Sequence, residues 1–187
     1  MEAFLVSMTV VGLAEIGDKT QILSMILAAR FHRPLPILFG ILFATIGNHA
    51  VAGFAGTFFG ELFAGPWMRW VLGASFLAVA VWALFPDEYE EGNSTVARAG
   101  AFSSTLVAFF IAEIGDKTQI ATVELAARFE AFYAVVCGTT LGMMLANIPA
   151  VILGHRLAGR LPVRTIGYVA AGIFAVLGLL TLIGTKM

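Results

Sequence analysis

The sequence predicts an all-α integral membrane protein of six transmembrane helices, built as two inverted three-helix repeats. Three observations carry this expectation. The 187 residues are 59% hydrophobic and only 12% charged, whereas soluble domains run roughly 45–50% apolar and about 25% charged. Apolar stretches of membrane-crossing length recur along the whole chain. A seven-residue acidic motif also occurs twice, in the first and fourth of these stretches.

The apolar stretches cover 3–29, 35–60, 67–86, 99–127, 131–154 and 163–185. Each reaches the roughly 20 residues that carry a helix across about 30 Å of hydrocarbon. Barrel strands are excluded, because they would be about 10 residues long with alternating polarity. The first span ends at Arg30-Phe31-His32-Arg33-Pro34, and Gly65-Pro66 divides the second from the third. The acidic run Asp87-Glu88-Tyr89-Glu90-Glu91-Gly92-Asn93-Ser94 separates the halves, and His155-Arg156 and Arg160-Leu161-Pro162 part the last two spans. The expected units are therefore a first repeat over 1–86, an acidic linker over 87–98 and a second repeat over 99–187. The N-terminus lacks a basic segment and the first span has no Ala-x-Ala site, so it reads as a retained span rather than a cleaved signal.

Sliding the sequence by 98 positions lays Glu15-Ile16-Gly17-Asp18-Lys19-Thr20-Gln21 on Glu113-Ile114-Gly115-Asp116-Lys117-Thr118-Gln119. Ala28-Ala29-Arg30-Phe31 falls on Ala126-Ala127-Arg128-Phe129, and Gly40 on Gly138. This is a duplication. With three spans per copy, the second copy enters the bilayer from the opposite side, and the copies are related by an axis in the membrane plane. Transporters built this way place their substrate site at the repeat interface near mid-membrane. Arg30, Arg33, Arg98, Arg156, Arg160 and Arg164 lie on one face, against Arg69, Arg128 and Lys186 on the other. The positive-inside rule then puts both termini outside and the acidic linker in the cytoplasm.

Charge and cysteine content exclude other classes. The 11 Lys and Arg residues form no basic patch, so a nucleic-acid partner is not expected. The single cysteine, Cys137, rules out an internal disulfide and a cysteine metal site; it reads as a small apolar helix residue.

Glu15 and Glu113 each lie about eleven residues, roughly 16 Å, into their spans. A central charge costs about 2.5–3.5 kcal/mol on insertion scales, and the two motifs hold six ionisable groups: Glu15, Asp18, Lys19, Glu113, Asp116 and Lys117. Apolar residues would pack as well, so the charges point to chemistry. On a continuous helix Glu and Asp at i and i+3 share a face, which would aim four carboxylates at one hard cation. Mn²⁺, Ca²⁺ and Mg²⁺ all take oxygen ligands. Thr20, Gln21, Thr118 and Gln119 would add neutral oxygens, as would backbone carbonyls if Gly17 and Gly115 open the helix. The bland alternative is a structural ion-pair network in which Lys19 neutralises Asp18 or the opposite Glu113. A carboxylate out of water is costly to keep ionised, so it is held either protonated or metal-bound, the outline of an antiporter. Lys19 and Lys117 offer only donors and are read as holding the carboxylates in place.

The duplicated E-φ-G-D-K-[TS] motif on six short spans resembles the membrane family of Golgi and bacterial Mn²⁺/Ca²⁺ cation:proton antiporters. The resemblance covers essentially the whole chain. It implies a transporter, not an enzyme, with no cofactor. It also implies a bacterial plasma-membrane location and export of Mn²⁺, then Ca²⁺, from the cytosol against protons or sodium. The family's cation site maps onto Glu15, Asp18, Glu113 and Asp116. Glu124 departs from the pattern, standing where a small or apolar residue is expected.

Weaker signals are weighed beside these. Glu124 either lines an external vestibule about 16 Å beyond Glu113 or pairs with Arg128. Asn48 and Asn147, matched with a one-residue shift, either add ligand oxygens or simply hydrogen-bond a neighbouring helix. Pro149 is expected to distort the fifth span. His49 reads as a satisfied packing histidine rather than a proton carrier. Ala52, Gly56 and Gly60, with Gly138 and Gly142, form small-residue faces for close helix approach, within a monomer or in a homodimer. Trp67, Trp70 and Trp82 read as interface anchors beside membrane lipid. The competing functions are a passive divalent cation channel, a sodium-coupled exchanger, a metal-using membrane enzyme and an exporter of small organic solutes. A channel explains neither the buried lysines nor the inverted duplication, and an enzyme would lack an evident nucleophile.

Overall fold

A computed structural model describes residues 1–62, 68–82, 84, 100–157 and 163–183. The linker 87–98, Gly65-Pro66, Arg160-Leu161-Pro162, Trp67 and Lys186 lie outside the described residues, as do the side chains of Arg69, Trp82, Arg156 and Arg164. The described chain is all helical: α1 Glu2–Glu15, α2 Lys19–Phe31, α3 Pro34–Leu62, α4 Met68–Trp82, α5 Ala101–Glu113, α6 Lys117–Phe129, α7 Phe132–Leu157 and α8 Val163–Ile183. Pro34–Phe58 and Phe132–Leu153 are each long and apolar enough to cross a membrane as single helices. α7 runs through Pro149 as one helix, so the proline does not break the fifth span.

The breaks fall instead inside the motifs. The first and fourth apolar stretches are each two short helices in series, α1–α2 and α5–α6. The duplicated helix ends hold in register: α2 closes on His32 (φ 52) and α6 on Glu130 (φ 49). Each donates its backbone N–H to an alanine carbonyl four residues back, Ala28 or Ala126, at 3.0 Å.

Each broken helix packs on the unbroken helix of the other half. α1 and α2 lie on α7, while α5 and α6 lie on α3. Small residues set the distance. A Cβ on Gly138 would sit 2.5 Å from the Phe4 carbonyl oxygen and 3.1 Å from Ser7 Cβ. On Gly40 it would meet the Phe102 carbonyl oxygen at 2.9 Å and Thr105 Cβ at 2.7 Å. These are the same contacts moved by 98 positions. On Gly56 it would meet the Val123 carbonyl oxygen at 2.2 Å. The glycine faces are thus consumed inside one chain, where backbones approach without a side chain between them. α4 pairs with α8, their Phe76 and Phe174 rings stacked at 6.4 Å between centroids. This pair leans on α6 through α4 and on α1 through α8.

Candidate functional site

The site is built where two helices stop and restart. α1 ends at Glu15; Ile16 turns extended, Gly17 takes φ 81, and Asp18 caps α2. α5 ends at Glu113; Ile114 turns extended, Gly115 takes φ 74, and Asp116 caps α6, accepting from the Thr118 N–H at 3.2 Å. A positive φ of this kind is open to glycine and costly for other residues. Both motifs therefore need the glycine. An unwound turn in hydrocarbon strands backbone donors unless the chain supplies partners. Here the glutamines supply them: Gln21 Oε1 accepts from the Gly17 N–H at 2.8 Å and Gln119 Oε1 from the Gly115 N–H at 2.7 Å. The Gln21 amide goes on to donate to the Ala146 carbonyl at 2.9 Å, and that of Gln119 to Asn48 Oδ1 at 3.4 Å. The glutamine oxygens, expected as ligands, are thus occupied in bracing the breaks.

The i, i+3 argument does not survive the break. Glu15 and Asp18 belong to different helices, as do Glu113 and Asp116. Each glutamate is instead held by the hydroxyl that follows the turn. Thr20 donates to Glu15 Oε1, and Thr118 donates to Glu113 Oε2 at 2.9 Å. Both glutamates are fully buried, and Glu15 Oε2 and Glu113 Oε1 have no hydrogen-bond partner among the described residues. Asn147 Nδ2 reaches Glu15 Oε1 at 3.2 Å, while Ser24 donates to Asn147 Oδ1 at 2.6 Å.

The aspartates pair across the halves. Lys19 Nζ stands 2.9 Å from Asp116 Oδ1, and Lys117 Nζ meets Asp18. Each lysine reaches the aspartate of the opposite repeat. Among the described residues no three Asp, Glu, His or Cys side chains are grouped closely enough to hold a metal ion. Two lysine–aspartate clamps cross between the halves at the breaks, since a buried charge is stabilised by an opposite charge at contact distance. Helix α2 and α6 N-termini and α1 and α5 C-termini all end at this level, so partial positive and partial negative ends meet there.

Asn48 stands beside the α5–α6 break, where it accepts from Gln119. Asn48 donates to the Phe110 carbonyl at 3.2 Å, which is helix bracing. Glu124 is buried, with Ser75 of α4 beside its carboxylate, and Arg128 bonds Thr181. Trp70 is exposed near the start of α4, as an anchor would be. His49 is not a satisfied packing residue: it is fully buried, and neither ring nitrogen has a hydrogen-bond partner among the described residues. Ser24 joins the site through Asn147, and the slide by 98 lays it on another hydroxyl, Thr122.

Gly115→Ala isolates the backbone requirement, because an added Cβ there meets nothing within 4 Å. It is expected to lower stability by about 1–2 kcal/mol, read as a drop in detergent melting temperature. Gly172→Ala, in an open helical position, leaves the melting temperature unchanged or raises it.

The family described as "Divalent cation/proton antiporter GDT1" matches this chain twice, over residues 3–91 and 101–187. A relative from Vibrio cholerae named "Putative manganese exporter" is 45% identical over 182 residues, covering 97% of this chain and 90% of its own. A Synechocystis protein named "GDT1-like protein sll0615" is 26% identical, over 93% of each chain. The Saccharomyces cerevisiae "Divalent cation/proton antiporter GDT1" is 24% identical over 96% of this chain and 83% of its own. No solved structure matches the chain.

Proposed function

Because the chain belongs to the divalent cation/proton antiporter family, we propose that it exports Mn²⁺, and Ca²⁺ second, across a bacterial plasma membrane. The exchange is for protons, at a site formed by Glu15, Asp18, Glu113 and Asp116. The observation that carries this reading is the reciprocal clamp. Four buried carboxylates face two lysines, so the site has a formal charge of −4 + 2 = −2 when all groups are ionised. One divalent cation neutralises it, and so do two protons. The lysines compensate the aspartates, which leaves Glu15 and Glu113, each with one oxygen lacking a partner among the described residues, as the two proton acceptors. The exchange is therefore one divalent cation for two protons, with no net charge moved. Binding the metal requires the clamps to open, so that aspartates and glutamates close on it together. Thr20 and Thr118 already touch the glutamates and follow them into the site.

The same reading takes α1–α2 and α5–α6 each as one broken span, giving six spans in two inverted halves, 1–86 and 99–187. What supports inversion is the pairing at the break: α1 lies beside α6 and α2 beside α5, the arrangement of two broken spans running in opposite directions. Both termini are then outside. One chain carries both motifs, so a monomer holds the whole site.

The test uses liposomes with an internal pH dye and an imposed proton gradient. Adding Mn²⁺ is expected to dissipate the gradient, Ca²⁺ less so and Mg²⁺ least. Mn²⁺ entry without proton movement would replace the antiporter by a channel or, if sodium restores coupling, by a sodium-coupled exchanger.

A further inference from the structure

The two halves are not chemically identical around their glutamates. Packing keeps the 98-residue register through the unbroken helices, as the Gly40 and Gly138 contacts record. In that register the residue of α3 that corresponds to Asn147 of α7 is His49, and Asn48 corresponds to Ala146. The hydrogen bonds agree with it. Gln21 donates to the Ala146 carbonyl, and Gln119 donates to Asn48. Asn147 touches Glu15; its counterpart His49 therefore holds the equivalent register position in the half that carries Glu113. The turn of α3 that carries His49 faces the α5–α6 break, because Asn48 beside it donates to the Phe110 carbonyl, one turn before Glu113. His49 is fully buried with both ring nitrogens lacking partners among the described residues, and Glu113 Oε1 lacks one as well. A buried imidazole without partners is expensive, and such a group calls for a role.

We propose that His49 is a nitrogen ligand of the transported cation in the half-site of Glu113, where the other half offers only the amide of Asn147. This rests on the cation site proposed above. A neutral imidazole has one N–H and one bare nitrogen. The bare nitrogen is the ligand atom, standing beside Glu113 in this half-site as the Asn147 amide stands beside Glu15 in the other. Ca²⁺ and Mg²⁺ are served by oxygens, while a nitrogen donor favours a first-row transition ion. His49 thus tilts an otherwise all-oxygen site toward Mn²⁺. His49→Asn installs the side chain that the other half already uses, so a polar group stays in place and the imidazole ligand is lost.

The experiment is pulsed electron paramagnetic resonance of Mn²⁺ on the purified full chain, with transport assayed alongside. Wild type is expected to show ¹⁴N modulation on bound Mn²⁺. His49→Asn binds Mn²⁺ without that modulation, and its transport loses about tenfold or more of the preference for Mn²⁺ over Ca²⁺. Carboxylate-dependent Mn²⁺ binding without nitrogen coupling in wild type overturns the role of His49 and leaves the carboxylate site standing. Mn²⁺ binding that persists in Glu113→Gln overturns the carboxylate site, and with it the ligand.

Discussion

Glu113→Gln is expected to abolish Mn²⁺/proton exchange in liposomes, and Glu15→Gln to do the same. The substitution keeps the size of the side chain and its bond to Thr118, so the break remains braced and the protein folds. The charge of the ionised site falls from −2 to −1, which no divalent cation matches. One of the two proton acceptors is gone as well. Burial enlarges the effect, because both carboxyl groups are shielded from water and no solvent compensates a charge mismatch there. The loss of transport should therefore exceed a hundredfold at saturating Mn²⁺, with an unchanged detergent melting temperature. If Glu15→Gln transports normally while Glu113→Gln does not, the two motifs do not form one site.

The lysine clamps give the second large effect. Lys117→Met leaves Asp18 buried without the cation that meets it. Breaking one side of a buried pair costs about 3–5 kcal/mol, so the variant should melt at markedly lower temperature. Adding Asp18→Asn removes the stranded charge and should restore most of the stability. Transport stays lost in the double variant, because Asp18 is a proposed ligand. The split between restored folding and absent transport separates the clamp's structural work from its part in exchange. Full transport in the double variant would mean that Asp18 never meets the cation.

Much of this architecture is legible in the residues, and the remainder fails for identifiable reasons. The duplication, the acidic motifs and the span pattern follow from hydropathy and from seven identical residues in a row. The breaks were visible only as a tendency, through a glycine in each motif and the excess length of the first and fourth stretches. Treating the motif as intact helix made Glu15 and Asp18 share a face, whereas Gly17 at φ 81 puts them on two helices. A sequence also does not say which carboxylate lies across from which lysine. That is set by the packing at the breaks, which brings Lys19 to Asp116 and Lys117 to Asp18. The glutamines look like spare oxygen ligands until the unwound turn exposes the glycine N–H groups that need them. His49 reads as a packing histidine when Asn48 is matched to Asn147 by residue type with a one-residue shift, whereas the packing keeps the strict register.

The account stands or falls on a buried site of charge −2 that trades one divalent cation for two protons. Liposomes clamped with potassium and valinomycin, at a fixed proton gradient, test this directly by the Mn²⁺ distribution reached at equilibrium. The account predicts a Mn²⁺ ratio equal to the square of the proton ratio and unaffected by membrane potential. A ratio that follows the membrane potential, or one that forms without any proton gradient, would contradict it.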